Sequence, residues 1–504
     1  MKKIVFLPLD ERPCNYNYPQ MMPKADYNLV LPPTSIMGDK KKAGDVTAIG
    51  EWLLREAKDA DACVVSMDTL IYGGIVPSRL HHETVSELIN RADVIKKLRK
   101  INPKTKLYLF QLIMRCPSYS LSDEEPDYYD ECGAEIFLYG KYSHLESAGL
   151  LTEEDKKDFD RVKAFIKPEY LNDYVERRNK NLSVLMRDLE FIKDGVCDYF
   201  IVPQDDSAEY GFTAMNQMTV RSYLKENVLH LKTAMYPSAD DTGLTLLARA
   251  VNELFGYNPK IYVKYASKKA ETVVPWFEDR MLDETVKYQI LAAGGTRVYS
   301  LPEADILLAI NMGSGMYNKC QGEYAKAYDI ERNLAEFIDY IKYALSIGKI
   351  VAVGDVATCN GADKELIDVL YAADLLLKIH AYAGWNTSSN TLGTAICEAI
   401  LYFIGKDENN NKNFLLHRYY EDLGFMDYAR EYVRQNLLST LGITDNSSDG
   451  KVGKVSRLAS EKTEEFMTAN YPKLAEKVLS VYAEMPWRRT FEADVRLKTV
   501  YKNE

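Results

Sequence analysis

Short apolar runs alternate along this chain with longer stretches whose apolar residues recur every three or four positions. Ten runs stand out, at residues 4–9, 28–31, 62–67, 106–113, 199–202, 232–235, 260–265, 305–310, 350–353 and 376–380. Most are rich in Val, Ile, Leu and Tyr and lack an alternation of period two, as parallel strands covered on both faces do. Between them lie helical patterns such as "ELINRADVIKKLRKI", "RNKNLSVLMRDLEFIKD" and "TGLTLLARAVNELFG". The repeated strand-then-helix order predicts an α/β fold with a parallel sheet or barrel.

Two boundaries show in the pattern. Near residues 256–259, "GYNP", a helix stops and a fresh strand–helix series begins. Near residues 406–413, "KDENNNKN", a polar run follows the last strand–helix unit, and the remainder reads as helical. The expected organisation is a TIM-barrel-like domain over 1–255, a Rossmann- or flavodoxin-like α/β unit over 256–405, and a helical C-terminal region over 406–504. Six strands before residue 255 are too few for an eight-stranded barrel, so either strands are hidden or the second unit completes it. The stretch "SDEEPDYYDECGAE" is acidic and aromatic and reads as a surface loop.

Composition narrows the function classes. At 504 residues, two or three domains are expected. The 46% hydrophobic and 27% charged residues fit a sizeable core. A formal net charge of -11 argues against nucleic acid or an anionic membrane as partner, since both need a basic face. No run approaches the ~18 apolar residues of a membrane span. The opening "MKKIVFLPLDERPC" has too short an apolar stretch for a secretory signal, so the chain reads as cytoplasmic. The expected partner is a small-molecule or oligosaccharide substrate, with a homo-oligomer left open. The eight cysteines, including Cys320, form no CxxC, and the six histidines form no HExxH, so neither a metal site nor a cofactor is expected. Tyrosine outnumbers phenylalanine 36 to 16, which suits sugar-binding clefts and equally suits compositional drift.

Candidate chemistry gathers where the strands end. The first run ends in Asp10, Glu11 and Arg12. The third is followed by Asp68, Tyr72 and Arg79, and the fourth by Arg115. The fifth ends in the adjacent pair Asp205 and Asp206, and the sixth is followed by Asp240 and Asp241. Later runs lead to Asn311, Asp355 and Asn360, and then to Trp385, Asn386 and Asn390. An Asp or Asn after a strand is often the cap of the next helix, and "ADDTG" fits a cap with a first-turn acid. Caps do not account for carboxylates, arginines and an aromatic–amide cluster after nearly every strand. If the strands are parallel, these ends share one face, where α/β enzymes place their sites. No GxGxxG or GxxxxGK[ST] is present, so nucleotide phosphates have no direct signal. Adjacent strand residues point to opposite faces, so Asp205 and Asp206 reach one cleft only if the chain turns between them. Two carboxylates that close also push their pKa values apart, which separates an acid from a charged partner.

The motifs "SMDTLIYGGIVPSR", "PQDDSAEYG", "ADDTGLTLLARA" and "AYAGWNTSSNTLGTA" together resemble the bacterial DUF4127 family, whose function is unknown, from residue 7 to about residue 404. The Asp pair and the later Trp-Asn motif are also similar to those of substrate-assisted β-N-acetylhexosaminidases, in which the substrate's acetamido oxygen attacks the anomeric carbon. That resemblance, confined to short patches, implies Asp205 as orienter of the acetamido group and Asp206 as general acid. It implies Trp385 and Asn386 as floor and hydroxyl binder for the sugar.

The leading expectation is therefore a glycoside hydrolase acting on a small amino-sugar glycoside. Asp205 and Asp206 would be catalytic. Asp10, Arg12, Asp68, Tyr72, Arg79, Arg115, Asp240, Asp241, Trp385, Asn386 and Asn390 would bind substrate. Two alternatives stand beside it. One is a metal-dependent hydrolase or lyase holding a hard cation on Asp10, Asp68, Asp205, Asp206 and Asp240, with arginines taking an anionic sugar-related substrate. The other is a ligand-binding protein without chemistry.

Overall fold

The computed structural model describes residues 1–316 and 330–501, so Cys320 lies outside the described residues. The chain divides into two compact units. The first comprises Met1–Glu11, Asn28–Gly243 and Phe277–Asp279; the second comprises Arg12–Tyr27, Leu244–Trp276 and Arg280–Glu504.

The first unit is built on a six-stranded sheet of β1 (Lys2–Leu7), β2 (Tyr27–Val30), β3 (Ala62–Ser66), β4 (Lys106–Phe110), β5 (Tyr199–Gln204) and β6 (Thr233–Pro237). The strand order is β2-β1-β3-β4-β5-β6. The pairings β1–β3, β3–β4, β4–β5 and β5–β6 are all parallel. β3 and β5 are buried at every position, as their unbroken apolar runs predict for strands covered on both faces. The sheet is open, with β2 and β6 as its edges, and the expected barrel does not form in it. Apolar runs set which segments become strands, but closure needs β6 to pair with β2, and that is a long-range choice.

The second unit carries β7 (Lys260–Tyr265), β8 (Thr296–Val298), β9 (Ile306–Asn311), β10 (Ile350–Asp355) and β11 (Ala381–Ala383), in the order β11-β10-β9-β7-β8. All four pairings are parallel. Numbered within the unit and read from β8, this order is 2-1-3-4-5, the same as the first five strands of the first sheet. The run at 376–380 is not a strand: Lys378 and Ile379 bond back to Leu375, and the strand starts only at Ala381. The three-residue β8 has too little apolar character to show in the sequence pattern.

The segment expected as a separate helical region belongs to the second unit, because its helices pack against that unit's sheet. Tyr419 meets Tyr382 with ring centroids 4.9 Å apart, and Asp422 accepts the Gly384 N–H at 2.8 Å. This segment also contains an antiparallel pair, β12 (Val478–Glu484) and β13 (Asp494–Thr499), where only helix was expected. Among the described residues six of the seven cysteines are buried, and Cys359 is half-buried. No described helix is long and apolar enough to cross a membrane.

Candidate active site at the carboxyl edge of the first sheet

Parallel pairing brings the carboxyl ends of β1, β3, β4, β5 and β6 to one edge, and the chain there is shaped by local bonds. After β3, Ser66 caps the helix Met67–Tyr72 by accepting the Thr69 N–H, which places Asp68 in the first turn. Gly73 ends this helix at a φ of 85°, and a side chain there would meet the Gly44 backbone nitrogen at 2.6 Å. The Thr69 hydroxyl lies 2.7 and 2.6 Å from the carbonyl oxygens of Pro8 and Leu9, which ties the end of β1 to this turn.

Beyond β4 the chain stays extended along β5. The Gln111 N–H donates to Ile201 O and the Ile113 N–H to Pro203 O. Pro203 is tolerated near the end of a central strand because the ladder is running out there. Arg178, buried and bonded to the carbonyls of Met114 and Arg115, fixes the loop that carries Arg115.

At the end of β5 the chain turns sharply, with Asp206 at a φ of 40°, in the left-handed region. The turn is what the adjacent pair requires to reach one side. The Ser207 N–H donates to Phe277 O at 2.9 Å, and the Gly211 N–H to His144 Nδ1 at 3.2 Å, which anchors both ends of the loop.

Two buried arginines cross-link the pair. Arg79, only 2% exposed, donates to Asp205 at 2.8 Å, Glu124 at 3.0 Å and Glu125 at 3.2 Å. Arg115 donates to Glu125 at 2.7 Å and Asp206 at 3.2 Å, and its guanidinium lies 3.3 Å from Glu124. Four carboxylates thus face two guanidiniums. Burial pushes Asp206 up to about 7, and the Asp205 charge adds to this while Arg115 and Arg79 oppose it. Burial also raises Asp68 to about 7, against the pull of the Leu112 N–H, which donates to it at 3.0 Å.

Asp68, Tyr72, Ser78, Arg79, Gln111 and Asp205 are among the residues lining a cavity with room for about one water molecule. The Gln111 carbonyl oxygen in it has no hydrogen-bond partner although the residue is 1% exposed. The Tyr72 hydroxyl sits by the Gln111 amide without a well-directed bond, its ring 4.9 Å from that of His81. Behind them Asp188, fully buried, is pushed up to about 7 by burial, and one of its oxygens lacks a partner.

The remaining expected residues divide between the units. Asp10 is buried in the first unit, where Glu11 accepts the Lys40 N–H. Asp240 and Asp241 follow β6. Asp241 accepts from Ser238 Oγ at 2.6 Å and from nearby backbone amides, while burial raises it to about 7. That bonding ties Asp241 to the turn between β6 and the helix Thr242–Phe255. Neither aspartate lines the cavity.

Arg12 belongs to the second unit and lies 4.4 Å over the Trp487 ring. Trp385, also in that unit, is 5% exposed, with its ring edge-on to Phe491 at 6.0 Å and Nε1 without a partner. Asn386 sits at a φ of 70° and accepts the Asn360 N–H through its backbone. Asn390 is not a cap: Thr387 holds that position, and the Asn390 amide reaches back to its hydroxyl at 3.1 Å. Asn311 and Asp355, opposite each other at the ends of β9 and β10, are joined at 2.8 Å.

Glu124, Glu125 and Gln111 escape the sequence reading. The acidic stretch read as a surface loop buries Glu125 completely, because two buried guanidiniums require carboxylates beside them. The signal was the pair of arginines after β3 and β4, whose counter-charges the strand ends alone do not supply. Among the described residues no three His, Cys, Asp or Glu side chains are arranged to hold a metal ion.

A family model described as "Protein of unknown function (DUF4127)" matches residues 4–496. No curated protein and no solved structure matches the chain.

Proposed function

The chain belongs to the DUF4127 family, and from that premise we propose that the carboxyl edge of the first sheet is the active site of a glycoside hydrolase acting on a small amino-sugar glycoside. The observation that carries this reading is the unequal environment of two adjacent carboxylates. Asp205 takes the Arg79 guanidinium at 2.8 Å, while Asp206, turned into the left-handed region, takes Arg115 at 3.2 Å and is still held up to about 7 by burial. A carboxyl group poised near neutrality beside a guanidinium-bonded partner is what glycoside cleavage uses.

In this mechanism Asp206 delivers its proton to the glycosidic oxygen as the bond to the anomeric carbon breaks, and the bonding electrons leave with that oxygen. Asp205 stabilises the positive charge that develops at the anomeric centre. Water then adds to that carbon and returns its proton to Asp206.

The test is a panel of 4-nitrophenyl glycosides that includes the glucosaminide, the N-acetylglucosaminide and the N-acetylgalactosaminide. Turnover of amino-sugar members in the presence of EDTA is expected. No turnover of any member, with or without added divalent cations, overturns the reading. Turnover only with added metal would point instead to a cation-dependent hydrolase.

A further inference from the structure

We propose that the cavity between Asp68, Tyr72 and Gln111 is a recognition site for a primary ammonium group. Three features meet there. The first is unmet acceptor capacity. The Gln111 carbonyl oxygen is buried without a partner, the Tyr72 hydroxyl lacks a well-directed bond, and the Asp68 carboxylate, bonded to the Leu112 N–H, has lone pairs to spare. A buried acceptor left unsatisfied is costly, so a donor-rich occupant is favoured. An ammonium group offers three N–H donors and no acceptor, which matches these three oxygens in kind and number.

The second feature is charge. Asp68 and Asp205 line the cavity together with Arg79 and Arg115, and the two guanidiniums are already bonded to Asp205, Glu125 and Asp206, which leaves the Asp68 carboxylate to meet a cation. A neutral occupant leaves that carboxylate without a counter-charge, whereas a cation offsets it. The third is size. Room for about one water admits an ammonium head and rejects an acetamido or carboxylate group.

This assigns the hydrolase reading a substrate class, a free amine in place of the acetamido group, and rests on that reading only for the amine being part of the substrate. The experiment is thermal unfolding of the full chain with methylammonium chloride, glucosamine, N-acetylglucosamine and glucose at constant ionic strength. It is repeated for Gln111→Leu and Tyr72→Phe, with folding checked by circular dichroism. Stabilisation that grows with methylammonium and glucosamine concentration, is absent with the two neutral sugars, and is lost in whichever variant folds is the expected result. Equal stabilisation by the neutral sugars, no stabilisation by either amine, or an unchanged response in a folded variant overturns the site. Amine binding without turnover of any glycoside keeps the site and removes the hydrolase. Turnover of N-acetyl glycosides with no amine preference does the reverse.

Discussion

The two sheets share a strand order and place acids at the same edge, yet those acids do different work. In the second unit Asp355, at the end of β10, is fully bonded. It accepts from Asn311 at 2.8 Å, from the Tyr382 hydroxyl at 3.0 Å and from the Asp363 N–H at 2.7 Å. In the first unit Asp206 lies on a left-handed turn with a single charged donor, and a cavity with unmet acceptors lies beside its neighbour Asp205. Burial raises both Asp355 and Asp206 to about 7. A raised carboxyl therefore does not by itself mark a reactive one. What separates the two is whether the fold already uses up the carboxyl oxygens.

Exchanging the acids one at a time separates the two environments. Asp206→Asn is expected to lower turnover of the cleaved glycoside by roughly 10²–10⁴-fold, the range for loss of a general acid, with an unchanged melting temperature. Steady-state kinetics alongside calorimetry checks both halves. Activity within a few-fold of wild type would make Asp206 a turn residue like any other.

Asp355→Ala should do the opposite. It removes the acceptor of the Tyr382 hydroxyl and of the Asp363 N–H and one of the two acceptors of the Asn311 amide, which also donates to Asp363, at about 1–3 kcal/mol for each buried donor left unsatisfied. Urea unfolding should show a large loss of stability, while turnover per folded molecule stays near wild type.

A smaller, pH-dependent effect is expected at Asp188, whose carboxyl burial raises to about 7 from an unfolded value of about 4. A raised carboxyl binds its proton more tightly in the folded state, so the stability it contributes is complete below about pH 4 and is lost as pH rises through about 7. Asp188→Asn removes that loss. Its stability relative to wild type should grow between about pH 4 and 7 and level off above. A difference that stays flat across this range would contradict the buried environment described for this side chain.

Much of the fold could be read from the sequence because parallel strands buried on both faces leave continuous apolar runs. Residues 260–265 are β7 to the residue, and β1, β3 and β5 lie within two residues of their runs at the ends. Closure could not be read, since it depends on which strand β6 meets rather than on the residues of β6. The run at 376–380 misled because Leu376 and Ile379 are buried in a turn rather than in a strand.

At the candidate site, the strand-end rule led to Asp68, Arg79, Arg115, Asp205 and Asp206, which the structure brings into one bonded and cavity-lining group. It missed Glu125 because local acidity looks like solvent exposure until the buried arginines that need it are known. It could not separate Asp241, whose oxygens are taken up in the turn before a helix, from Asp206. Both are second members of an Asp pair after a strand, and only the bonding of their oxygens tells them apart.

Asp206 is expected to hold a proton near neutral pH, where catalysis needs one. Carboxyl ¹³C NMR of protein labelled at aspartate reads this protonation, with the Asp206 resonance assigned by its absence in Asp206→Asn. A titration midpoint near 7 is the predicted result. A midpoint in the ordinary aspartate range, about 4, would contradict the account.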